Sequence, residues 1–167
     1  FFPVAKFYES IDLPSFGIEY EKLANDYIKE YRNRFSECML HPRAPETLEV
    51  LNELSISQTI LTAGEQKDVE AFACFFNVNQ WVKSIDGASN IEAKGKGDRA
   101  AAHISKLKLD PKDVLLIGDT LHDQEIANLV GCKALLYSHG HVDAERLRQL
   151  KDPVIESLYD VIKWVRD

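Results

Sequence analysis

The stretch "DVLLIGDTLHDQEIANLVG", Asp113 to Gly131, decides the fold. Val114 to Ile117 is a continuous apolar run, not an alternating one, so it reads as a short strand covered on both faces. Gly118 breaks the run and lets the backbone turn. Apolar positions at helical spacing then carry the chain to Gly131, which suits the end of a helix. Strand, glycine turn and helix together make half of a parallel βαβ unit, and two carboxylates, Asp119 and Asp123, stand at the junction.

Working outward, the same alternation continues. Upstream, "ETLEVLNEL" reads as an amphipathic helix, "SQTILT" as a strand ending at Thr62, "EQKDVEAFACFF" as a helix, "WVKSIDG" as a strand and "DRAAAHISKL" as a helix. Downstream, "KALLYS" reads as a strand, and "DAERLRQL" and "ESLYDVIKWV" as closing helices. Strands alternating with helices predict an α/β fold, a parallel sheet with helices on both faces. The first forty residues differ. Pro3 suits the first turn of a short helix to about Ser10, and Leu23, Tyr27, Ile28, Tyr31 and Phe35 recur at helical spacing. Pro42 and Pro45 disfavour helix just before them. The expected division is a helical piece, residues 1–42, and an α/β piece, residues 43–167.

The bulk composition excludes several classes. A formal net charge of -7 over 167 residues argues against a nucleic-acid surface, which needs clustered Lys and Arg; "EAKGKGDR" is too short a basic patch to change that. No apolar run approaches the roughly 20 residues that cross a bilayer, and "FFPVAKFYES" lacks the pattern of a secretory signal. Three separated cysteines, Cys38, Cys74 and Cys132, carry neither a disulfide framework nor zinc spacing and fit reduced thiols in a cytoplasmic protein. The first residue is Phe, so the chain is expected to be a piece of a longer protein. Nothing in the sequence bears on oligomeric state.

In open α/β sheets, ligands bind at the carboxyl ends of the strands. Asp119 and Asp123 converging there form a hard-oxygen site suited to Mg²⁺. A competing reading makes Thr120 a helix N-cap with Asp123 as its reciprocal partner and a complement to the helix dipole. That accounts for Asp123 and leaves Asp119 unexplained, because a charge at the end of an apolar strand is costly unless compensated. "TILTAGEQ" repeats the geometry: the Thr62 hydroxyl with the Ala63 and Gly64 amides is a phosphate cradle, or T-A-G-E is a helix capping box. Lys94 and Lys96 stand in a glycine-flanked loop before a helix, as phosphate neutralisers or as solvated lysines. In "SHGHVD", His139 and His141 with Asp143 nearby suggest a metal site, but two histidines without a third clear ligand are weak, and the segment reads as a polar loop.

In this order the motifs resemble those of the haloacid dehalogenase-like hydrolases, in particular the branch similar to phosphoglycolate phosphatases. "HPRAPETLEVLNELSISQTILTAGEQ" is similar to the passage from the helical cap into the second core strand. "GKGDRAAAHISKLKLDPKDVLLIGDTLHDQEIANLVG" is similar to the lysine motif followed by the acidic motif, and "ALLYSHGHVDAERL" to that branch's C-terminal end. The resemblance implies a Rossmann-like core with a small helical cap and a Mg²⁺-dependent phosphatase acting on a small phosphorylated metabolite. It also implies that Thr62, Ala63, Gly64 and Lys96 hold phosphate, Lys96 matching better than Lys94, and that Asp119 and Asp123 hold the metal.

One motif of that family is missing. The nucleophilic Asp belongs on the first core strand, ahead of the cap, and nothing here matches it. Asp12 in "SIDLPSFG" has no apolar strand before it and no second acid two residues on. The resemblance therefore implies that the nucleophile strand lies upstream of Phe1, between the strands ending at Thr62 and Asp119. The chain alone is then expected to have no turnover, and to leave two inner strand edges unpaired. The rival reading is a non-catalytic relative that uses the crevice for binding or regulation. A response-regulator-like or nucleotide-binding domain would need a glycine-rich loop or phosphoacceptor Asp after the first strand. Dehalogenase chemistry would leave two metal acids without a role.

Overall fold

The computed structural model describes residues 19–88 and 96–166. The expected helix from Pro3 to Ser10, Asp12 and Lys94 lie outside the described residues. The chain divides into two compact units, Phe1–Met39 and Leu40–Asp167.

In the first unit, α1 (Tyr20–Arg34) is followed by a 3₁₀ turn, Phe35–Glu37. Its tyrosines at positions i and i+4, Tyr27 and Tyr31, stack at 6.3 Å. Arg34 donates to Glu37 from Nε and Nη2 at 3.0 and 2.7 Å, closing the last turn. The pair is exposed, so it contributes under about 1 kcal/mol.

The second unit is a mixed α/β structure with parallel strands. Its elements are α2 (Ala44–Glu53), β1 (Thr59–Glu65), α3 (Gln66–Phe75), β2 (Ser84–Ala88), α4 (Lys96–Leu107), β3 (Leu115–Gly118), α5 (Leu121–Val130), β4 (Lys133–Tyr137), α6 (Ala144–Arg148), β5 (Val154–Ile155) and α7 (Val161–Trp164). The strands fall into two sheets. β1 pairs with β2, setting Thr59 opposite Ser84 and Leu61 opposite Asp86. β3, β4 and β5 form the other, with Gly118 opposite Leu136 and Tyr137 opposite Ile155.

The core centres on β4. Leu135 and Leu136 are 0% exposed, and Leu135 and Tyr137 pack with Leu51, Ile155, Val161 and Ile162. Each such aliphatic side chain contributes about 1.5–3 kcal/mol by leaving water. β3 differs: none of its four residues is fully buried, and Ile117 is 41% exposed. The apolar run that reads as covered on both faces is thus only half covered.

Three elements depart from the expected boundaries. β1 runs on to Glu65, with a register irregularity between Leu61 and Glu65. β5 was not expected, because two residues are too few to show a period. "ESLYDVIKWV" forms a 3₁₀ turn, Leu158–Asp160, and the single-turn α7, because the Ser157 hydroxyl accepts the Tyr159 amide and starts a tight turn there. Among the described residues no helix is long and apolar enough to cross a membrane.

Candidate active site

β3 ends at Gly118, and Asp119 follows at its carboxyl end. Thr120 is the N-cap of α5, and the reciprocal box with Asp123 forms in full. Asp123 Oδ2 accepts from the Thr120 amide at 3.1 Å, the Thr120 hydroxyl at 2.7 Å and the Asp119 amide at 3.1 Å. Asp123 is buried, so these three donors compensate its charge. A Cβ on Gly118 would collide with the Asp123 side chain, so the residue before Asp119 must be glycine for the cap to close. The capping reading of Asp123 is therefore realised, and it has a consequence for its neighbour: the cap fixes the turn from which the Asp119 side chain projects.

The compensation for Asp119 comes from 22 residues away. The His141 backbone N–H and the ring Nδ1 each lie 2.7 Å from Asp119 Oδ2. The loop comes this close because residue 140 lacks a side chain: a Cβ on Gly140 would overlap Asp119 Oδ2. Because β3 and β4 are parallel neighbours, their following loops meet at one edge. His141 was read from the sequence as part of a polar loop, and no short-range pattern signals its contact with Asp119. In the same loop, Asp143 accepts the Arg146 amide at 3.1 Å and caps α6.

Thr62 lies within β1, and its hydroxyl accepts the Gly64 amide at 3.1 Å. This local turn replaces the T-A-G-E capping box: the N-cap position of α3, Glu65, makes no side-chain cap bond. It also engages one of the two amides expected to face a phosphate directly. Lys96 is the first residue of α4. The role expected of its side chain lies outside the described residues. No hydrogen bond or ion pair among the described residues joins Thr62 to Asp119; they stand on different sheets.

Three residues that the sequence did not single out tie α4 to β1 and β2. Arg99 Nη2 donates to the Thr62 carbonyl at 2.8 Å and to the Asp86 carbonyl at 3.1 Å. It also lies 3.6 Å from Asp86 Oδ1. His103, buried, stands 3.2 Å from Asp86 Oδ2 through Nδ1 and 2.9 Å from the Thr59 hydroxyl through Nε2. A ring protonated at Nδ1 satisfies both, donating to the carboxylate and accepting from the hydroxyl. The only available signal was the i, i+4 spacing of Arg99 and His103, which sets them on one helix face.

Burial pushes the pKa of Cys132 above the ordinary value, whereas Cys38 and Cys74 are exposed.

Among the described residues no three His, Cys, Asp or Glu side chains gather as a metal shell. The Asp119 and Asp123 pair nevertheless fits an ion that takes one or two carboxylates and keeps waters and a substrate phosphate, as Mg²⁺ does. The described hydrogen bonds of Asp119 all fall on Oδ2, so Oδ1 remains for such an ion.

The sequence model of the haloacid dehalogenase-like hydrolases matches residues 8–137. A phosphoglycolate phosphatase of Chromobacterium violaceum is 22% identical over 140 residues, covering 82% of this chain and 63% of that protein. Among solved structures, a predicted phosphoglycolate phosphatase from Haemophilus somnus superposes with a TM-score of 0.69 at 24% identity, over 75% of this chain and 57% of that one. A predicted phosphatase from Clostridium acetobutylicum gives 0.75 at 16% identity, over 94% and 76%. The chain therefore spans less than two thirds of the length of the first two.

Proposed function

We propose, from the premise that this chain belongs to the haloacid dehalogenase-like hydrolases, that it is most of a phosphatase acting on a small phosphorylated metabolite. Residues 1–42 would serve as a helical cap and residues 43–167 as the core. The observation that carries this reading is Asp119: a carboxylate at the carboxyl end of a parallel strand, projected by the Asp123 cap and held on one oxygen only.

Asp119 and Asp123 would hold Mg²⁺, which when bound screens phosphate charge and polarises its oxygens. The Thr62 hydroxyl accepts the Gly64 amide and so keeps its own proton to donate to a phosphoryl oxygen. Gly64 then acts indirectly, by orienting Thr62, while the Ala63 amide and Lys96, at the N-terminus of α4, add positive potential where charge spreads in the transition state. Arg99 and His103 hold α4, and hence Lys96, to the strand that carries Thr62. The nucleophile is an Asp on a strand outside these 167 residues. Its oxygen attacks phosphorus, the ester oxygen leaves with a proton from a second acid, and water hydrolyses the aspartyl-phosphate.

The test is a Mg²⁺-supplemented assay with p-nitrophenyl phosphate and small phosphomonoesters, on this chain and on a version extended upstream. Turnover is expected in the extended protein alone, and Asp119→Asn there should lower kcat by about 100-fold or more. Equal turnover in both would overturn the placement of the nucleophile. An extended protein that binds phosphate without hydrolysing esters would favour the non-catalytic relative.

A further inference from the structure

The contact between Asp119 and the loop after β4 has a form that stability alone does not explain. His141 brings two donors to one oxygen: its backbone N–H and its ring Nδ1 each lie 2.7 Å from Asp119 Oδ2. The His141 side chain is 71% exposed and that of Asp119 30% exposed. A pair so open to water contributes little to folding. The approach is nevertheless close, because a Cβ on Gly140 would meet the Asp119 carboxylate. Both donors also belong to one residue. Once the backbone N–H is in place, only the ring torsions remain to be fixed, so the second bond needs little further ordering.

We propose that His141 is a positioning residue for the Asp119 carboxylate: by holding Oδ2 with two donors, it leaves Oδ1 in a fixed orientation as the oxygen offered to a divalent cation. The role rests on the reading of Asp119 as a carboxylate for Mg²⁺. Three observations support it. Both described hydrogen bonds that reach the Asp119 carboxylate come from His141; the Asp123 cap engages Asp119 through its amide only. Mg²⁺ demands near-octahedral geometry from few carboxylates, so it gains from one that cannot turn. The ring also differs from its neighbour: His139 packs on Tyr137, with centroids 5.6 Å apart, and makes no described bond to Asp119. An Nδ1–H is present in the charged imidazole and in one neutral tautomer, so the bond needs no change of charge.

The test is a titration of the upstream-extended protein with Mn²⁺, a hard cation that takes the same oxygen ligands as Mg²⁺, at one fixed pH, with free Mn²⁺ read by electron paramagnetic resonance. His141→Phe keeps a ring and removes the donor, and should weaken binding about ten-fold. His141→Asn places an amide N–H where Nδ1 stood, and should bind within about two-fold of the wild type. His139→Phe should leave binding unchanged, and all three variants should keep the wild-type urea midpoint. Wild-type affinity in His141→Phe would overturn the role and leave the metal reading intact. His141→Asn as weak as His141→Phe would overturn it too, since the donor would then not be what matters. So would a weakening accompanied by a fall in the urea midpoint, which would assign His141 to the fold. Mn²⁺ binding that is absent, or equal in the wild type and Asp119→Asn, would overturn the metal reading and the role with it.

Discussion

Asp119 projects from a turn that leaves no room for error. Gly118 on one side and Gly140 on the other are each in contact with a carboxylate, Asp123 and Asp119 respectively. Gly140→Ala should push the Ser138–His141 loop off Asp119 and cost about 1–3 kcal/mol of stability by overpacking, read as a fall in the urea midpoint. Asp123→Ala removes the acceptor for three donors and should cost a similar 1–3 kcal/mol. His141→Ala, at an exposed ring whose backbone N–H bond survives, should cost less than either. Thiol labelling should modify the exposed Cys38 and Cys74 before Cys132, which is partly buried and whose pKa that burial pushes up. At this scale Asp119 and Asp123 were legible in the sequence because strand, glycine and cap lie within a few residues of each other. His141, Asp86, Arg99 and His103 were not. Their bonds to Asp119, Thr59 and Thr62 join residues that are adjacent only after the strands pair.

At the scale of elements, α4 is anchored by polar side chains as well as by its apolar face. His103 and Arg99 engage both strands of the β1–β2 pair, so the helix and that sheet should open together. His103→Leu keeps much of the volume but strips Thr59 and Asp86 of a partner, and should cost about 1–3 kcal/mol. Hydrogen exchange should then quicken in α4 and β1 before α5. Uniform quickening across α4 and α5 would contradict this coupling. The helices that the sequence shows best are those long enough to display a period, α2 to α5. β5 and α7 escaped it because two residues, or a single turn, are shaped by what they pack against: β5 by the edge of β4, and α7 by the core around Leu135 and Tyr137.

Taken as a whole molecule, the second unit has its best-packed core on one side, around β4, and an apolar space between its sheets. By itself the sequence determined the alternation of parallel strands and helices, the acidic pair at the end of β3 and the hydroxyl on β1, because periodicity, glycine turns and helix caps act over a few residues. Only the tertiary structure decided that Arg99 and His103 tie α4 to β1 and β2, and that His141 meets Asp119. Each of those depends on which edges pair and which loops converge, and that is set by hydrogen bonds and close contacts between distant segments.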